Sequence, residues 1–169
     1  MSLYDMDKLY KETRSIAARF RHTMGKNIGG ITSELSAYDA ARLMGLELCS
    51  EQEFGYNAVG VKHAPGKKVL IKGRAIFKDQ KSRQRVGQLS LNKDWDLMML
   101  VLLDDNFEPQ EIFEATREDV VEALDSKDKS KDRKGAMSVA KFKAISQLAW
   151  NVDEGLVGDE VWDNQSSED

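Results

Sequence analysis

The stretch Val69-Leu70-Ile71-Lys72-Gly73-Arg74-Ala75-Ile76-Phe77 decides the fold, because its odd and even positions differ in chemistry. The odd positions are all apolar or glycine, whereas the even positions carry Lys72 and Arg74 between aliphatic side chains. Since side chains of a strand alternate between two faces, the pattern predicts a β-strand with one apolar face and two neighbouring cations on the other. Residues 56–62 predict its hairpin partner, because Pro65-Gly66 supplies a turn between the two segments.

The segments on either side of this hairpin complete an α/β pattern. Residues 97–103 are apolar without alternation, which predicts a central strand covered on both faces. Residues 107–115 predict an edge strand, because they contain Pro109. Helical spacing and capping signals predict four helices, at residues 3–23, from Thr32 or Ser33 to Gly45, from Thr116 to Leu124, and from Ser138 to Ala149.

We therefore expect an α/β fold with a mixed central β-sheet flanked by helices. Residues 1–152 are expected to form a single domain, which includes the N-terminal helix. Residues 153–169 are poor in large apolar side chains and are expected to form an acidic, mobile tail.

The charge of the chain is distributed unevenly. Its 169 residues include 25 basic and 29 acidic side chains, a formal net charge of −4. Residues 62–85 hold nine Lys or Arg and one acid, residues 127–143 hold seven and two, and residues 153–169 hold seven acids and no base. The two basic segments would bind a polyanion if folding brought them together, and would be solvated loops if it did not. The sequence leaves both alternatives open.

Composition argues against several classes of protein. The apolar run at residues 97–103 is too short to cross a bilayer, and residues 1–7 lack the basic patch of a secretory signal. Cys49 is the only cysteine, and His22 and His63 are the only histidines, which argues against a disulfide framework or a zinc site. We expect a cytoplasmic protein without a membrane segment.

Glu34 is a candidate functional residue on the predicted second helix. On a wheel with about 100° per residue it falls on the side of Tyr38 and Ala41, opposite Ser36 and Asp39. A carboxylate on that apolar stripe is costly to bury unless it is paired or binds a metal. Alternatively, Glu34 lies in the first turn, where it favours the helix dipole and reaches solvent.

Asn57 and Lys72 are the corresponding candidates on the hairpin. Both are expected toward the end of the hairpin that lies away from the turn, so the two side chains could meet. A lysine in mid-strand beside a carboxamide is unusual for an apolar core. Alternatively, Lys72 protects an edge strand from aggregation.

Together these residues resemble a known superfamily. Glu34 on a helix, Gly55-Tyr56-Asn57-Ala58 on a first strand and residues 69–74 on a second are similar to the restriction-endonuclease-like PD-(D/E)xK proteins. More narrowly, residues 33–150 resemble a group of small bacterial proteins with a G-Y-D-A…Q-x-K-G-R pattern. The resemblance implies a restriction-endonuclease-like fold, Mg²⁺ as cofactor, and nucleic acid, foremost DNA, as partner.

The resemblance also implies roles for individual residues. Lys72 and Glu34 would be catalytic, and Glu34 and Asn57 would hold the metal. Asn57 stands where the superfamily has Asp, and Leu70 stands where it has Asp, Glu or Gln. Since Mg²⁺ prefers anionic oxygen ligands, we expect weak metal binding and a degenerate phosphodiesterase site. Phosphates are expected on six basic side chains, namely Arg74, Lys81, Arg83, Arg85, Lys141 and Lys143.

Three functions stay open on the sequence alone. The first is nucleic-acid binding with a degenerate or weak nuclease site. The second is a non-catalytic protein-interaction or regulatory module on the same fold, with a protein partner bound through the acidic tail. The third is an active nuclease that takes its missing acid from elsewhere. The candidates are Glu47, Glu51 and Glu53 before the first strand of the hairpin, and Asp94 and Asp96 before the central strand. A homodimer is consistent with the resemblance.

Overall fold

The computed structural model describes residues 1–78, 84–89, 91–125 and 136–158. The described helices are α1 (Leu3–Met24), α2 (Ile31–Met44), α3 (Glu51–Phe54), α4 (Arg117–Asp125) and α5 (Val139–Ile145). The described strands are β1 (Leu46–Leu48), β2 (Ala58–Gly60), β3 (Lys68–Ala75), β4 (Arg85–Gln88), β5 (Leu97–Leu103), β6 (Pro109–Thr116), β7 (Ala136–Ser138), β8 (Gln147–Asn151) and β9 (Gly155–Leu156). None of these helices is long and apolar enough to span a membrane.

The main sheet is mixed, as predicted. Among the described strands its order is β1-β2-β3-β5-β6-β8-β9, while β4 and β7 pair in a separate two-stranded sheet. Strands β3 and β5 are parallel, and the other neighbours are antiparallel. Helices lie against both faces, so the α/β class and the mixed sheet flanked by helices are confirmed.

Strand β5 lies in the middle of the sheet, and all of its side chains are buried. Met99 and Val101 belong to a first core, together with Ile71 and side chains of α1 and α2. Leu100 belongs to a second core on the opposite face, together with Leu70 and side chains of α4, α5, β4 and β7. The alternation predicted for residues 69–77 therefore matches the two faces of the folded sheet.

Gly73 allows α2 to approach β3 closely. A Cβ atom added at Gly73 would lie 1.8 Å from the Oγ atom of Ser36 and 3.2 Å from the carbonyl oxygen of Thr32. No larger residue fits at this position without displacing the helix. The contact also shows which side of α2 faces the strand, because Thr32 and Ser36 are one turn apart.

A buried ion pair joins α1 to α2. The guanidinium of Arg14 contacts Asp39 through two nitrogens, at 2.7 and 3.1 Å, and it also donates to the carbonyl of Phe107. Asp39 is fully buried and Arg14 is 8% exposed. Burial raises the pKa of Asp39, and the hydrogen bond and charge of Arg14 oppose that rise. The pair fixes how the first two helices meet.

The prediction that Glu34 shares the buried face of α2 is wrong. Ser36 and Asp39 are fully buried, whereas Glu34 is exposed. A helical wheel assigns polar residues to the solvent side, but Ser36 packs on Gly73 and Asp39 is paired with an arginine. Tertiary partners therefore reversed the orientation that hydrophobicity alone predicts.

Three local predictions also need correction. Helix α2 begins at Ile31 after Gly30 and has no side-chain cap, so neither Thr32 nor Ser33 starts it. The last helix ends at Ile145, and Ala149 lies in strand β8. Strand β6 contains Pro109 but lies between β5 and β8, because the proline occupies the first position of the strand.

The chain stays ordered beyond the predicted domain boundary at residue 152. Strand β9 pairs with β8 through the register Trp150 to Leu156, and the amide of Val157 donates to Ala149. The acceptor oxygen of the Asn151 side chain binds the amides of residues 153 and 154, which forms the turn between the strands. The start of the tail at residue 153 is therefore corrected, and residues 159–169 lie outside the described structure.

Candidate functional site

Strand β3 is longer than the strand that pairs with its outer edge. Strand β2 registers only with Val69 and Lys68, so the edge of β3 from residue 71 to residue 75 extends past it. A backbone edge of this kind needs other hydrogen-bond partners. Side chains supply several of them, and they include two of the predicted site residues.

Asn57 acts as a substitute for the missing strand. Its Oδ1 atom accepts from the amide of Ile71 at 2.6 Å, and its Nδ2 atom donates to the carbonyl of the same residue at 3.3 Å. A carboxamide can do both, whereas an ionised carboxylate can only accept. The residue that departs from the superfamily pattern therefore has a structural reason to be Asn.

Arg74 and Gln84 continue this row along the edge of β3. Arg74 donates from Nη1 to the carbonyl of Gly73 and from Nε to the carbonyl of Arg85, both at 2.5 Å. Gln84 donates from Nε2 to the carbonyl of Ala75 at 2.8 Å. Burial lowers the pKa of Arg74. Arg74 thus connects β3 to β4 and is only half-exposed, which limits the phosphate-binding role predicted for it.

Lys72 lies on the second face of the sheet. It registers with Leu100, a residue of the second core, and shares its strand face with Leu70. Its side chain is half-buried. Leu70 itself is 3% exposed and belongs to the second core. The position where the superfamily has an acid is therefore part of the core.

Glu34 lies on the side of α2 that faces α1. The carbonyl of Thr32 lies on the side of α2 that contacts β3 at Gly73. Glu34 is two residues further on, about 200° around the helix, so it points away from that strand. Burial raises the pKa of Tyr10 on α1, and the negative charge of Glu34 raises it further. The helix α2 packs on the first face of the sheet, whereas Lys72 lies on the second. The structure does not bring Glu34 and Lys72 together.

The described residues do not fit the Mg²⁺ site that the resemblance implies. Glu34 is on the wrong side of the sheet, both ends of the Asn57 carboxamide bind Ile71, and Leu70 has no ligand atom. In the described part of the chain, no group of three or more His, Cys, Asp or Glu side chains could hold a metal ion. Mg²⁺ needs several oxygen ligands, some of them anionic, and these positions do not provide them.

Two of the acids considered as substitutes, Asp94 and Asp96, lie at the far end of β3. The carboxylate of Asp94 pairs with Lys68 Nζ at 2.5 Å, and that of Asp96 accepts from the backbone amide of Lys68 at 2.9 Å. Lys72 is four residues further along the strand, which is about 13 Å at the usual rise per residue. Neither acid completes a site at Lys72.

The remaining predicted phosphate contacts fall into three groups. Arg85 begins β4 next to Arg74, while Lys81 and Arg83 lie outside the described residues. Lys143 on α5 is 3.7 Å from Glu111 and lies over the ring of Phe113. Lys141, on the same helix, lines a cavity together with the acidic residues Asp119 and Glu122. The two lysines of α5 thus have acidic surroundings, unlike Arg74 and Arg85.

A cavity of about 240 Å³ opens beside the exposed edge of β3. Its polar lining comes from the segment before α2, from the first turn of α2, from β3 and from the start of β4, namely Asn27, Thr32, Arg74, Gln84 and Arg85. Sequence reasoning found the two arginines but missed the other three. Nothing in the local sequence marks them, because they become neighbours only when α2 and β4 pack against β3.

The sequence matches no protein-family model, and the comparison with curated proteins finds no match. The relation to the PD-(D/E)xK superfamily therefore stays a prediction that rests on the residues described above.

Proposed function

We propose that the protein binds nucleic acid at the open edge of β3, on a restriction-endonuclease-like fold whose nuclease site is too degenerate to hold a metal. The observation that carries this proposal is the pair of arginines, Arg74 on β3 and Arg85 on β4, which both line one cavity. None of the described residues that line the cavity is acidic. Uncompensated cations in a concave surface attract phosphate.

Neighbouring lysines extend this positive surface. Lys72 projects from β3, and Lys78 is exposed just after the strand ends. Lys68 lies at the far end of the strand, where it pairs with Asp94. We therefore expect the phosphates near the C-terminal half of β3 rather than along its whole length.

A salt titration with labelled DNA and RNA oligonucleotides tests the binding proposal. Each phosphate that a lysine or arginine neutralises releases counterions, so affinity should fall steeply as salt rises. The double variant Lys72→Gln/Lys78→Gln should bind more weakly and with a shallower salt slope. The matched control Lys8→Gln/Lys11→Gln removes two charges from the exposed side of α1 and should bind like the native protein. Salt-independent binding, or equal loss in both variants, would refute the proposal.

A cleavage assay tests the degenerate site separately. Plasmid and branched DNA would be incubated with Mg²⁺ or Mn²⁺ and either the native protein or Lys72→Ala. We expect no cleavage that depends on Lys72, because Glu34 and Leu70 cannot supply the carboxylates that metal-assisted hydrolysis needs. Cleavage by the native protein that disappears in Lys72→Ala would contradict this part of the proposal.

The alternative function, a protein-interaction module, is favoured by one observation on α1. Leu9 and Ile16 are each 51% exposed, and Met6 is 38% exposed, on one side of the helix. If this surface mediated the function, Leu9→Glu/Ile16→Glu would change the oligomeric state in light scattering and leave DNA affinity unaltered. Unchanged mass in that variant would remove the alternative.

A further inference from the structure

Gln84 lines the cavity beside β3 and has an acceptor atom that lacks a donor. The Nε2 atom of Gln84 donates to the carbonyl of Ala75, which fixes the orientation of the carboxamide. Its Oε1 atom is then buried and has no hydrogen-bond partner among the described residues. A buried polar atom without a partner costs free energy, so a ligand or a water molecule that donates to it would be stabilised there.

The same cavity is strongly basic. The half-buried guanidinium of Arg74 uses Nε and Nη1 for two carbonyls, which leaves further N–H groups for a ligand. Within the described part of the chain, burial is the cause that shifts the pKa of Arg74, and it lowers that pKa. Arg85, whose backbone carbonyl accepts from Arg74, is a second arginine of the lining. An anion in the cavity would relieve the cost of desolvating Arg74.

The start of α2 adds to this environment. Thr32 lines the cavity, and the helix begins after Gly30 without a side-chain cap. The amides of a helix's first turn favour a negative charge. This attraction adds to that of the arginines and to the unpaired acceptor of Gln84. By itself it would not be sufficient to bind an anion.

These groups distinguish between two kinds of phosphate. A phosphodiester within a strand has one negative charge and only acceptor oxygens, so it could bind the arginines but not Gln84. A phosphomonoester has up to two negative charges, and its singly protonated form carries a P–O–H group that can donate to Oε1. The monoester is therefore the better match to a lining with two arginines and one unpaired acceptor.

We propose that the cavity binds a phosphomonoester, supplied by the phosphorylated end of a nucleic-acid strand. This inference rests on the proposed function and deepens it, because it assigns the cavity to strand ends rather than to internal phosphates. Arg74 and Arg85 bind the phosphate oxygens, and Gln84 accepts from the protonated one. The apolar lining includes Phe77, which borders the cavity at the end of β3.

The test compares oligonucleotides that differ only in a terminal phosphate. Fluorescence anisotropy with the full chain would measure the affinity for 5′-phosphorylated, 3′-phosphorylated and unphosphorylated single strands. We expect one phosphorylated end to bind about tenfold more tightly or better, the increase typical of one charge-assisted hydrogen bond. The variant Arg85→Gln should lose that preference, and Lys11→Gln, an exposed residue of α1, should retain it.

A second variant and a second probe cover the case in which Arg85→Gln does not fold. Gln84→Glu preserves the shape of the side chain but places a negative charge beside the phosphate, so it should also lose the preference. Inorganic phosphate and a nucleoside monophosphate, added to the native protein, should compete with the phosphorylated strand in the millimolar range or below.

The outcomes separate this inference from the proposed function. Oligonucleotide binding without a preference for phosphorylated ends would overturn the inference and leave the proposed function intact. Binding of the nucleoside monophosphate without binding of any oligonucleotide would overturn the proposed function, and would identify free nucleotides as the source of the phosphomonoester. If no probe bound, both would fail, and Gln84 would be satisfied by water alone.

Discussion

Replacing Asn57 with Asp distinguishes a structural role from a metal-binding role at this position. The superfamily pattern has Asp here, so a metal-site interpretation expects Asn57→Asp to restore a ligand. The structure makes the opposite prediction. The Nδ2 atom that donates to the carbonyl of Ile71 would become a carboxylate oxygen, while the acceptor for the amide of Ile71 would be retained.

The expected cost follows from this geometry. One hydrogen bond is lost, and the carbonyl of Ile71 then faces a negatively charged oxygen in a half-buried position. Leaving a buried acceptor without its donor costs about 1–3 kcal/mol. We therefore expect the free energy of unfolding of Asn57→Asp to fall by about 2 kcal/mol at pH 7, with water access reducing the effect toward the lower end of that range.

Urea denaturation followed by circular dichroism would measure this change. Asn92→Asp is the matched control, because Asn92 is exposed in a turn. The same change from amide to carboxylate should alter stability there by no more than about 0.5 kcal/mol. Equal m-values in all three proteins would show that the comparison concerns stability rather than the unfolded state.

The result that would refute the reasoning is specific. If Asn57→Asp were as stable as the native protein, the carboxamide would not be acting as a strand substitute. If Mg²⁺ raised the melting temperature of Asn57→Asp but not of the native protein, the position would be a metal ligand after all. Both results together would restore the nuclease-site interpretation.

Two further predictions concern the packing of α1 on α2. Asp39→Asn should lower stability by about 3 kcal/mol, or the melting temperature by about 6–12 °C, because it removes the carboxylate that pairs with the buried Arg14 and leaves that guanidinium with the carbonyl of Phe107 and a 3.7 Å contact to Glu108. The double variant Arg14→Met/Asp39→Leu should recover much of this loss in a thermal melt. A loss below about 1 kcal/mol in Asp39→Asn would contradict the buried pair. Glu34→Gln should lower the pKa of Tyr10, measured by NMR titration of ring-labelled tyrosine, since the charge of Glu34 raises it; an unchanged titration would show that Glu34 does not lie beside α1.

Local patterns in the sequence predicted those elements that depend on residues close together in the chain. The alternation along β3 and the uniform burial of β5 are both present in the structure. The helix caps predicted at Thr116 and Ser138 are also present. Each hydroxyl accepts from the backbone amide three residues later. These features depend on neighbours within a few residues along the chain.

The candidate site was harder to predict, since its residues come from different elements. The sequence predicts that Glu34, Asn57 and Lys72 converge. It does not show on which face of the sheet α2 packs, and the convergence depends on that face. Gly73 decides that face by admitting Ser36. The sequence also does not show that Asn57 binds the backbone of Ile71. That role depends on where β2 ends, because the side chain of Asn57 takes the place of the missing strand.

The sequence by itself determined the α/β class, the central strand, the alternation of β3 and the clustering of positive charge, because these follow from the order and chemistry of adjacent residues. The tertiary structure alone decided that Asp39 is buried against Arg14, that Glu34 and Lys72 lie on opposite sides of the sheet, and that Gln84 faces a basic cavity. The physical reason is that burial and pairing are properties of contacts between distant segments, and a polar side chain can be stable inside the fold when such a contact satisfies it.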